Sequence, residues 1–204
     1  MVWITSGTIA QDQSSMPLKS FDTIRKRAED RKGGPEALAT KLAGSTEEAD
    51  AKTVSDDRVL AAMARYIFSS GISHKVVDSK WPGIEDALLG FDPALLNLQP
   101  DDYWHDLLGD KRIIRHGAKV QAIRRNAAFL SALAAEHGSA AKFLLDWPVS
   151  DQIGLLDLLA RRGDRLGGMT GQYMLRAIGK DGFALSRDVL ACLKDAGVPI
   201  TGDG

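Results

Sequence analysis

Apolar residues recur at intervals of three and four along most of the chain, which is the spacing of a helix with one buried face. Few segments alternate with a period of two, so we expect no sheet and predict an all-α protein. One apolar stripe follows Ser55, a good N-cap, and consists of Val59, Leu60, Met63 and Ile67. The other predicted helices cover residues 35–42, 84–89, 101–108, 117–136, 140–145, 151–162, 170–178 and 187–196, with loops at 81–83, 92–93, 99–100 and 147–148.

The beginning of the chain differs from the rest. Residues 1–16 are polar and lack periodicity, so we interpret them as disordered or as an extension upstream of the natural start. We treat residues 17–204 as a single helical domain. Because the chain has no run of about 18 apolar residues and no signal-peptide pattern, we expect no membrane segment and a cytoplasmic location.

Cysteine and histidine usage argues against a metal centre. Cys192 is the only cysteine, which excludes an intrachain disulfide, a four-cysteine zinc site and a cysteine-held iron–sulfur cluster. The histidines at 74, 105, 116 and 137 show no ligand spacing. We therefore expect neither zinc nor an iron–sulfur cluster.

Basic residues are clustered, although the formal net charge is only −1. The run from Lys111 to Arg125, which includes Lys119, contains no acidic residue. A second group, interrupted by Asp164, consists of Arg161, Arg162, Arg165, Arg176 and Lys180. Such a face can hold a few phosphates of a nucleic acid, and the alternative is an ordinary solvated helix surface.

A glycine turn separates the predicted helices 151–162 and 170–178. Gly167 and Gly168 permit a tight turn and close approach of the backbone to a ligand. The following helix, beginning at Thr170, opens with unpaired N–H groups and the positive end of its dipole, so the turn can bind a phosphate, with Arg165 as a further contact. The alternative is a purely structural corner between two helices.

Asp188 is the candidate catalytic carboxylate. It lies in the first turn of the last predicted helix, behind the N-cap Ser186, and the buried stripe of that helix is predicted to be Val189, Cys192, Leu193 and Ala196. A carboxylate there can stabilise the oxocarbenium character of a sugar that is losing its base, and can orient water. The alternative is a residue that only stabilises the helix dipole.

The turn and the carboxylate, in this order, resemble the helix–hairpin–helix DNA glycosylase superfamily. Residues 166–176 match its hairpin loosely, and residues 181–188 match its approach to the catalytic aspartate, which falls at Asp188. The resemblance implies a fold of two helical lobes around a cleft. Members that also nick the backbone carry a lysine where this chain has Met169, so the resemblance implies a monofunctional enzyme. By resemblance alone, hairpin carbonyls could also hold a monovalent cation.

A second region resembles the family of 3-methyladenine DNA glycosylase I. The segments Ser70–His74, Gly90–Pro93 and Ile113–Ile123 occur in the order of that family. That family binds zinc near its termini through cysteines and histidines, which this chain does not supply. Its pocket glutamate and pocket tryptophan fall at Tyr66 and His74.

The superfamily comparison also suggests the contacts with DNA. Ile72 would be the wedge that fills the space left by a flipped base, and Lys119 would support the grip on phosphate. The alternative for Tyr66, Phe68 and Trp104 is core packing. The candidates to stack on the base are Tyr66, Phe68, His74, Tyr103 and Trp104.

The function implied by the resemblance is base excision repair by a monomer acting on double-stranded DNA. The expected substrate is an alkylated purine such as 3-methyladenine. Alternatives are a glycosylase for deaminated or oxidised bases, a non-catalytic helix–hairpin–helix module that binds DNA, and a helical protein-interaction domain.

Overall fold

The computed structural model describes residues 18–43 and 54–200, most of which are helical. These residues form eleven α-helices and no strand, which confirms the predicted all-α class. The helices are α1 (Phe21–Lys32), α2 (Pro35–Ala43), α3 (Asp56–Ser69), α4 (His74–Ala87), α5 (Pro93–Asn97), α6 (Asp101–Asp106), α7 (Gly117–His137), α8 (Ala140–Asp146), α9 (Gln152–Arg162), α10 (Met169–Ala177) and α11 (Arg187–Asp195). None of these described helices has the length and apolarity needed to cross a membrane.

Backbone contacts divide the helices into two compact units. The larger unit contains α3 to α10, and the smaller contains α1, α2 and α11. The expectation of one domain over residues 17–204 stays a prediction, as does its arrangement in two lobes. The predicted extension at residues 1–16 lies outside the described residues.

The larger unit is built around α3 and α7. Helix α5 packs on α7, and α10 packs on α3. The predicted stripe of α3 is fully buried, with Val59, Leu60 and Met63 each 0% exposed. Burying one such aliphatic side chain contributes about 1.5–3 kcal/mol, so this packing stabilises the unit substantially.

Two residues predicted to stack on a flipped base belong to this core instead. Phe68 is 0% exposed and Trp104 is 1% exposed. Tyr103 packs edge-on against Trp104, and its hydroxyl donates to Ala87 O at 2.6 Å. Because no face of Phe68 or Trp104 is accessible, both predictions were wrong, and the residues act by packing α3 and α6 into the core.

The helix predicted at 84–89 begins ten residues earlier than expected. Ser73 caps α4 by accepting from Val76 N, and Pro82 lies inside the helix rather than in a loop. Proline disfavours a helix interior because it lacks an N–H and crowds the preceding turn. Tertiary packing compensates here, since Val77 and Ile84 are buried and Trp81 stacks on Phe91 at 5.3 Å.

The loop predicted at 92–93 also forms part of a helix. Asp92 accepts from Ala94 N at 2.8 Å and Leu95 N at 3.1 Å, and Pro93 occupies the first turn of α5. Proline suits that position because its fixed φ matches a helix and its missing N–H has no partner there. The dipeptide therefore starts a helix rather than only interrupting one.

Ion pairs hold the smaller unit together. Asp195 of α11 pairs with Arg27 of α1 at 2.8 Å and with Lys19 at 3.2 Å. The predicted buried stripe of α11 was wrong except at Ala196, which is 5% exposed, because Val189 is 40% exposed and no residue within α11 is buried. The physical reason is that α1 is itself largely charged, so it offers α11 few apolar side chains to pack against.

Replacing Asp56 with alanine should destabilise the larger unit. Its half-buried carboxylate accepts from Ala140 N, from Ala141 N at 2.7 Å and from the Ser139 hydroxyl, which fastens the start of α8 to α3. Loss of such a cap costs about 1–2 kcal/mol, and we expect the Tm to fall by about 2–8 °C in thermal denaturation. As a control, Asp157→Ala removes an exposed ion pair with Arg161 and should change stability by less than about 0.5 kcal/mol.

Candidate functional site

Three aromatic rings meet near the surface of the larger unit. Tyr66, near the end of α3, stacks on Tyr173 of α10 with ring centroids 6.0 Å apart and planes at 18°. The ring of His74, the first residue of α4, lies edge-on to Tyr66 at 6.3 Å. Tyr66 and Tyr173 are half-buried and His74 is exposed. We call these three residues the aromatic cluster, and its accessible ring surface suits stacking on a flat base.

The structure thus brings together two residues of the predicted pocket, Tyr66 and His74. The third ring of the cluster belongs to Tyr173, whereas Phe68 and Trp104 lie in the core. Sequence reasoning did not assign Tyr173 to the pocket. Its signal was nevertheless present, because Tyr173 stands in the hairpin-like segment 166–176, four residues after Met169. On a helix starting at Met169, that spacing puts Tyr173 one turn from the glycine corner.

The loop between α3 and α4 joins two members of the aromatic cluster. Gly71 adopts a φ of 78°, which reverses the chain after the α3 C-cap Ser70. Ile72, the predicted wedge, follows and is half-buried against the core. Its role as a wedge stays a prediction, because a wedge residue must expose its side chain when DNA is bound.

Lys119 does not lie on a DNA-facing surface, which corrects the prediction for this residue. It is 4% exposed, and its Nζ donates to Phe68 O at 2.8 Å and to Ser70 O at 2.5 Å. Burial, and secondly the nearby charge of Arg165, lower the pKa of the Lys119 ammonium. The side chain is therefore occupied with the C-terminal carbonyls of α3 and is not available for direct contact with phosphate.

The glycine turn between α9 and α10 is as tight as predicted. Gly168 is the N-cap of α10 with φ 58° and ψ −136°, a backbone conformation that side chains rarely tolerate. Gly167 and Gly168 are exposed, and Thr170 is half-buried in the first turn of α10. The turn therefore presents accessible backbone at the positive end of a nine-residue helix.

The turn is held in place by close packing and by a buried amide. A Cβ on Gly171 would lie 2.3 Å from Leu166 O, so only glycine lets α10 approach the turn this closely. Asn126 of α7 is 0% exposed, accepts from Asp164 N at 2.8 Å and donates to Asp164 O at 2.9 Å. Sequence reasoning missed Asn126, because nothing local distinguishes a polar residue inside α7 from one on its surface.

Ion pairing reduces both predicted basic groups. In the run 111–125, Arg112 pairs with Asp110 and Asp86, Arg124 with Asp101, and Arg125 with Asp164. In the second group, Arg161 pairs with Asp157, and Arg162 pairs with Glu136 and lowers the pKa of that carboxyl. Lys180 donates to Leu145 O at 2.8 Å and to Trp147 O.

Arg165 and Arg176 remain available in the second basic group. Both are exposed and make no ion pair with any residue in the described ranges. Arg165 stands in the glycine turn itself, with a φ of 58°. Within these two groups, the exposed cations without an ion pair among the described residues are therefore Arg165 and Arg176 at the turn and α10, together with Lys111 and Arg115 of the first run.

Asp188 lies where the sequence predicts, in the first turn of α11. Ser186 caps the helix by accepting from Val189 N, and the Asp188 side chain is exposed. Within the smaller unit it lines a cavity of about 550 Å³ together with Arg27, Arg31 and Cys192. Its role as a catalytic carboxylate stays a prediction.

Two glutamines fix the chain just before α11. Gln152, 9% exposed, donates to Phe183 O at 2.7 Å and accepts from Phe183 N at 2.8 Å. Gln172 Oε1 accepts from Leu185 N at 2.7 Å. Residues 183–185 are thereby held against α9 and α10 without belonging to a helix or a strand.

Comparison with models of known protein families identifies the family of this chain. The methyladenine glycosylase family model matches residues 48–155, which is more than half of the chain. The chain belongs to the methyladenine glycosylase family. The matched part includes α3 to α8 and the aromatic-cluster members Tyr66 and His74, whereas the glycine turn and Asp188 lie beyond it. No curated protein sequence matches the chain.

Solved structures with the same fold are 3-methyladenine DNA glycosylases. A crystal structure of 3-methyladenine DNA glycosylase I is 23% identical, with a TM-score of 0.53 over 61% of this chain and 79% of that one. The Staphylococcus aureus enzyme, solved for 3-methyladenine recognition, is 21% identical with a TM-score of 0.54 over 61% and 77%. A tyrosine-to-phenylalanine variant of such an enzyme, in complex with 3-methyladenine, is 22% identical with a TM-score of 0.54 over the same shares.

No group of three or more histidine, cysteine or acidic side chains is arranged to hold a metal ion within residues 18–43 and 54–200. The zinc-free state of this family member stays a prediction, as does the monovalent cation at the hairpin.

Gly168→Ala should destabilise the glycine turn, whereas Gly167→Ala should not. Alanine at 168 must adopt a φ of 58°, which costs about 1–3 kcal/mol. A Cβ at 167 would meet only the Ala160 Cβ at 3.9 Å, an ordinary contact, so we expect a change below about 0.5 kcal/mol. Urea denaturation of the two variants measures the difference, and equal stabilities would contradict the strained geometry of Gly168.

Proposed function

We propose that this protein is a monofunctional DNA glycosylase of base excision repair, which flips 3-methyladenine out of duplex DNA and hydrolyses its N-glycosidic bond. The family match supports the reaction, and the aromatic cluster beside the glycine turn is the observation that carries the site. Tyr173 lies one turn into α10 and the glycine turn precedes that helix, so one helix connects the stacking surface with the backbone N–H groups that we propose bind phosphate.

The aromatic cluster fits an alkylated purine. N3-methylation gives adenine a positive charge, and a cation over the face of a tyrosine ring gains about 0.5–2 kcal/mol. Tyr66 and Tyr173 supply such faces. Unpairing a base from the duplex costs a few kcal/mol, and the stacking energy offsets part of this cost.

The turn would hold the DNA backbone while the base is out. Gly167, Gly168 and Thr170 place N–H groups at the positive end of α10, and Arg165 adds an exposed charge from the same turn. Phosphate binding at helix N-termini relies on this combination of N–H groups and dipole. The contact is independent of sequence, which suits an enzyme that must search for a lesion.

We assign the hydrolytic carboxylate to Asp188, on the basis of the superfamily resemblance and its position in the first turn of α11. As the bond between the base and C1′ breaks, the sugar gains oxocarbenium character, which a carboxylate stabilises. The water oxygen then bonds to C1′, its proton is released, and the products are the free base and an abasic sugar. Met169 has no amine, so it cannot form a Schiff base that would cut the strand.

The same proposal includes a monomeric protein that acts in the cytoplasm on double-stranded DNA, without zinc or an iron–sulfur cluster. The single cysteine, Cys192, supports the absence of both metal centres.

Base release from alkylated duplex DNA, identified by chromatography, tests the reaction. We expect wild-type protein to release 3-methyladenine and Asp188→Asn to lose about 100-fold or more of the rate, because a positioned acid–base group contributes on that scale. The variant should still bind DNA. Asp102→Asn is the control, since it makes the same charge change at an exposed carboxylate outside the smaller unit and the candidate site, and it should keep the rate.

The outcomes separate the parts of this proposal. If wild type releases base and Asp188→Asn does so at the same rate, only the catalytic role of Asp188 is contradicted, and the glycosylase function stands. No release of methylated purines, with DNA still bound, would direct the assay to deaminated and oxidised bases. Without release from any of them, a non-catalytic DNA-binding module would be the better account.

The salt dependence of DNA binding tests the role of Arg165. The slope of log affinity against log salt concentration falls by about 1 for each cation that no longer neutralises a phosphate, so Arg165→Met should reduce the slope by about that amount. Lys142→Met is the control for net charge, because Lys142 is exposed but already pairs with Asp146. Equal slopes for the two variants, measured by fluorescence anisotropy, would exclude a phosphate contact by Arg165.

A further inference from the structure

The buried ammonium of Lys119 lies under the loop that joins two members of the aromatic cluster. Its two acceptors, Phe68 O and Ser70 O, belong to the last turn of α3 and to the α3 C-cap. Tyr66 precedes these acceptors by two and four residues, and His74 follows Ser70 by four. One side chain from α7 therefore fixes the segment that sets the separation of Tyr66 and His74.

The partial negative charge at the C-terminal end of α3 stabilises the Lys119 ammonium in its position. The last four carbonyls of a helix lack intrahelical partners and carry a partial negative charge, so a cation there is favourable. No carboxylate in residues 18–43 or 54–200 pairs with Lys119, and its ammonium is stabilised by hydrogen bonds to these two carbonyls. Because Lys119 is only 4% exposed, its ammonium has lost much of its hydration, and breaking these two hydrogen bonds is costly.

Lys119 is also linked to the glycine turn. Arg165 is close enough that its charge acts on the Lys119 ammonium. Lys119 is therefore bonded to the end of α3 and also lies within electrostatic range of Arg165 in the glycine turn. The mutual repulsion of the two cations would be relieved by a phosphate bound at Arg165.

We propose that Lys119 is a positioning residue for base excision, which holds residues 70–73 so that Tyr66, Ile72 and His74 meet the flipped nucleotide in the productive arrangement. Lys119 touches neither the base nor the phosphate in this role. The inference rests on the proposed glycosylase function, since it concerns the placement of the base within that site. A displacement of about 1 Å in such a site lowers a reaction rate by up to about 100-fold.

Lys119→Met removes the ammonium while keeping a similar length and shape. We expect single-turnover release of 3-methyladenine to fall about tenfold or more at a temperature well below the Tm. Affinity for undamaged duplex should change by less than about threefold, because the phosphate contacts lie in the turn. Lys119→Arg retains the charge and the donors and should recover part of the rate.

Lys180→Met is the matched control. Lys180 likewise donates to two main-chain carbonyls at the end of a helix, those of Leu145 and Trp147 in and after α8, and is half-buried. Its loss should lower the Tm, as the loss of Lys119 does, without changing the rate of base release below the Tm. If the rate of base release falls in both variants in proportion to the fall in Tm, the role of Lys119 is only structural. That result would overturn the inference.

A second variant tests the same claim without touching Lys119. Insertion of one glycine after Gly71 lengthens the loop while leaving both carbonyl acceptors in α3 and its C-cap. We expect the insertion variant to lose base release to the same extent and to keep its DNA affinity. This measurement tests the inference even if Lys119→Met does not fold. Release within about threefold of wild type by the insertion variant would contradict a positioning role for this loop.

Amide hydrogen exchange separates this inference from the proposed function. Lys119→Met should increase exchange at residues 70–73 relative to wild type, and Lys180→Met should not. If wild type releases no base but exchange rises as expected, the glycosylase proposal fails while the loop is shown to be held by Lys119. If wild type releases base and exchange at 70–73 is unchanged in Lys119→Met, the inference alone fails.

Discussion

The packing of α3 against α7 is the constraint on which the larger unit depends. Val59, Leu60 and Met63 bury one face of α3, and α7 supplies the opposing apolar surface. This contact fixes more than the core, because two buried polar residues of α7 then bind segments of the candidate site. Lys119 binds the end of α3 and Asn126 binds Asp164 of the glycine turn. Both segments of the candidate site are thus fastened to one helix pair.

The site is assembled at helix ends rather than along helix faces. Tyr66 stands at the end of α3, His74 begins α4, and Gly168 caps α10. Helix ends carry unpaired backbone groups and partial charges, which supply N–H donors for phosphate at α10 and acceptors for Lys119 at α3. A flat base needs ring surface beside such groups, and the stacked Tyr66 and Tyr173 provide it.

Ion pairs between distant segments, rather than the local composition of the chain, determine where positive charge remains on the surface. The run from Lys111 to Arg125 contains no acidic residue, yet Arg112, Arg124 and Arg125 pair with carboxylates from other segments. Exposed pairs of this kind contribute little to stability, but they neutralise the surface on which they lie. Arg165 remains unneutralised among the described residues of the turn, which focuses positive charge where the backbone N–H groups are.

The sequence by itself determined the helical class, most helix positions, the glycine turn and the capped start of α11. These features depend on local rules, namely apolar spacing, capping residues and the conformational freedom of glycine, and each is readable within a few residues. The course of α4 through Pro82 lay outside those rules, because its packing partners come from other helices.

Only the tertiary structure decided which polar and aromatic residues are accessible. Phe68 and Tyr66 are two residues apart on α3, and the rotation of that helix against α7 buries the first and leaves the second half-exposed. In the sequence Lys119 looks like an exposed cation, but in the structure the packing of α7 beside the end of α3 buries it. Burial and pairing are properties of contacts between distant segments, so a linear pattern identifies the candidates but cannot select among them.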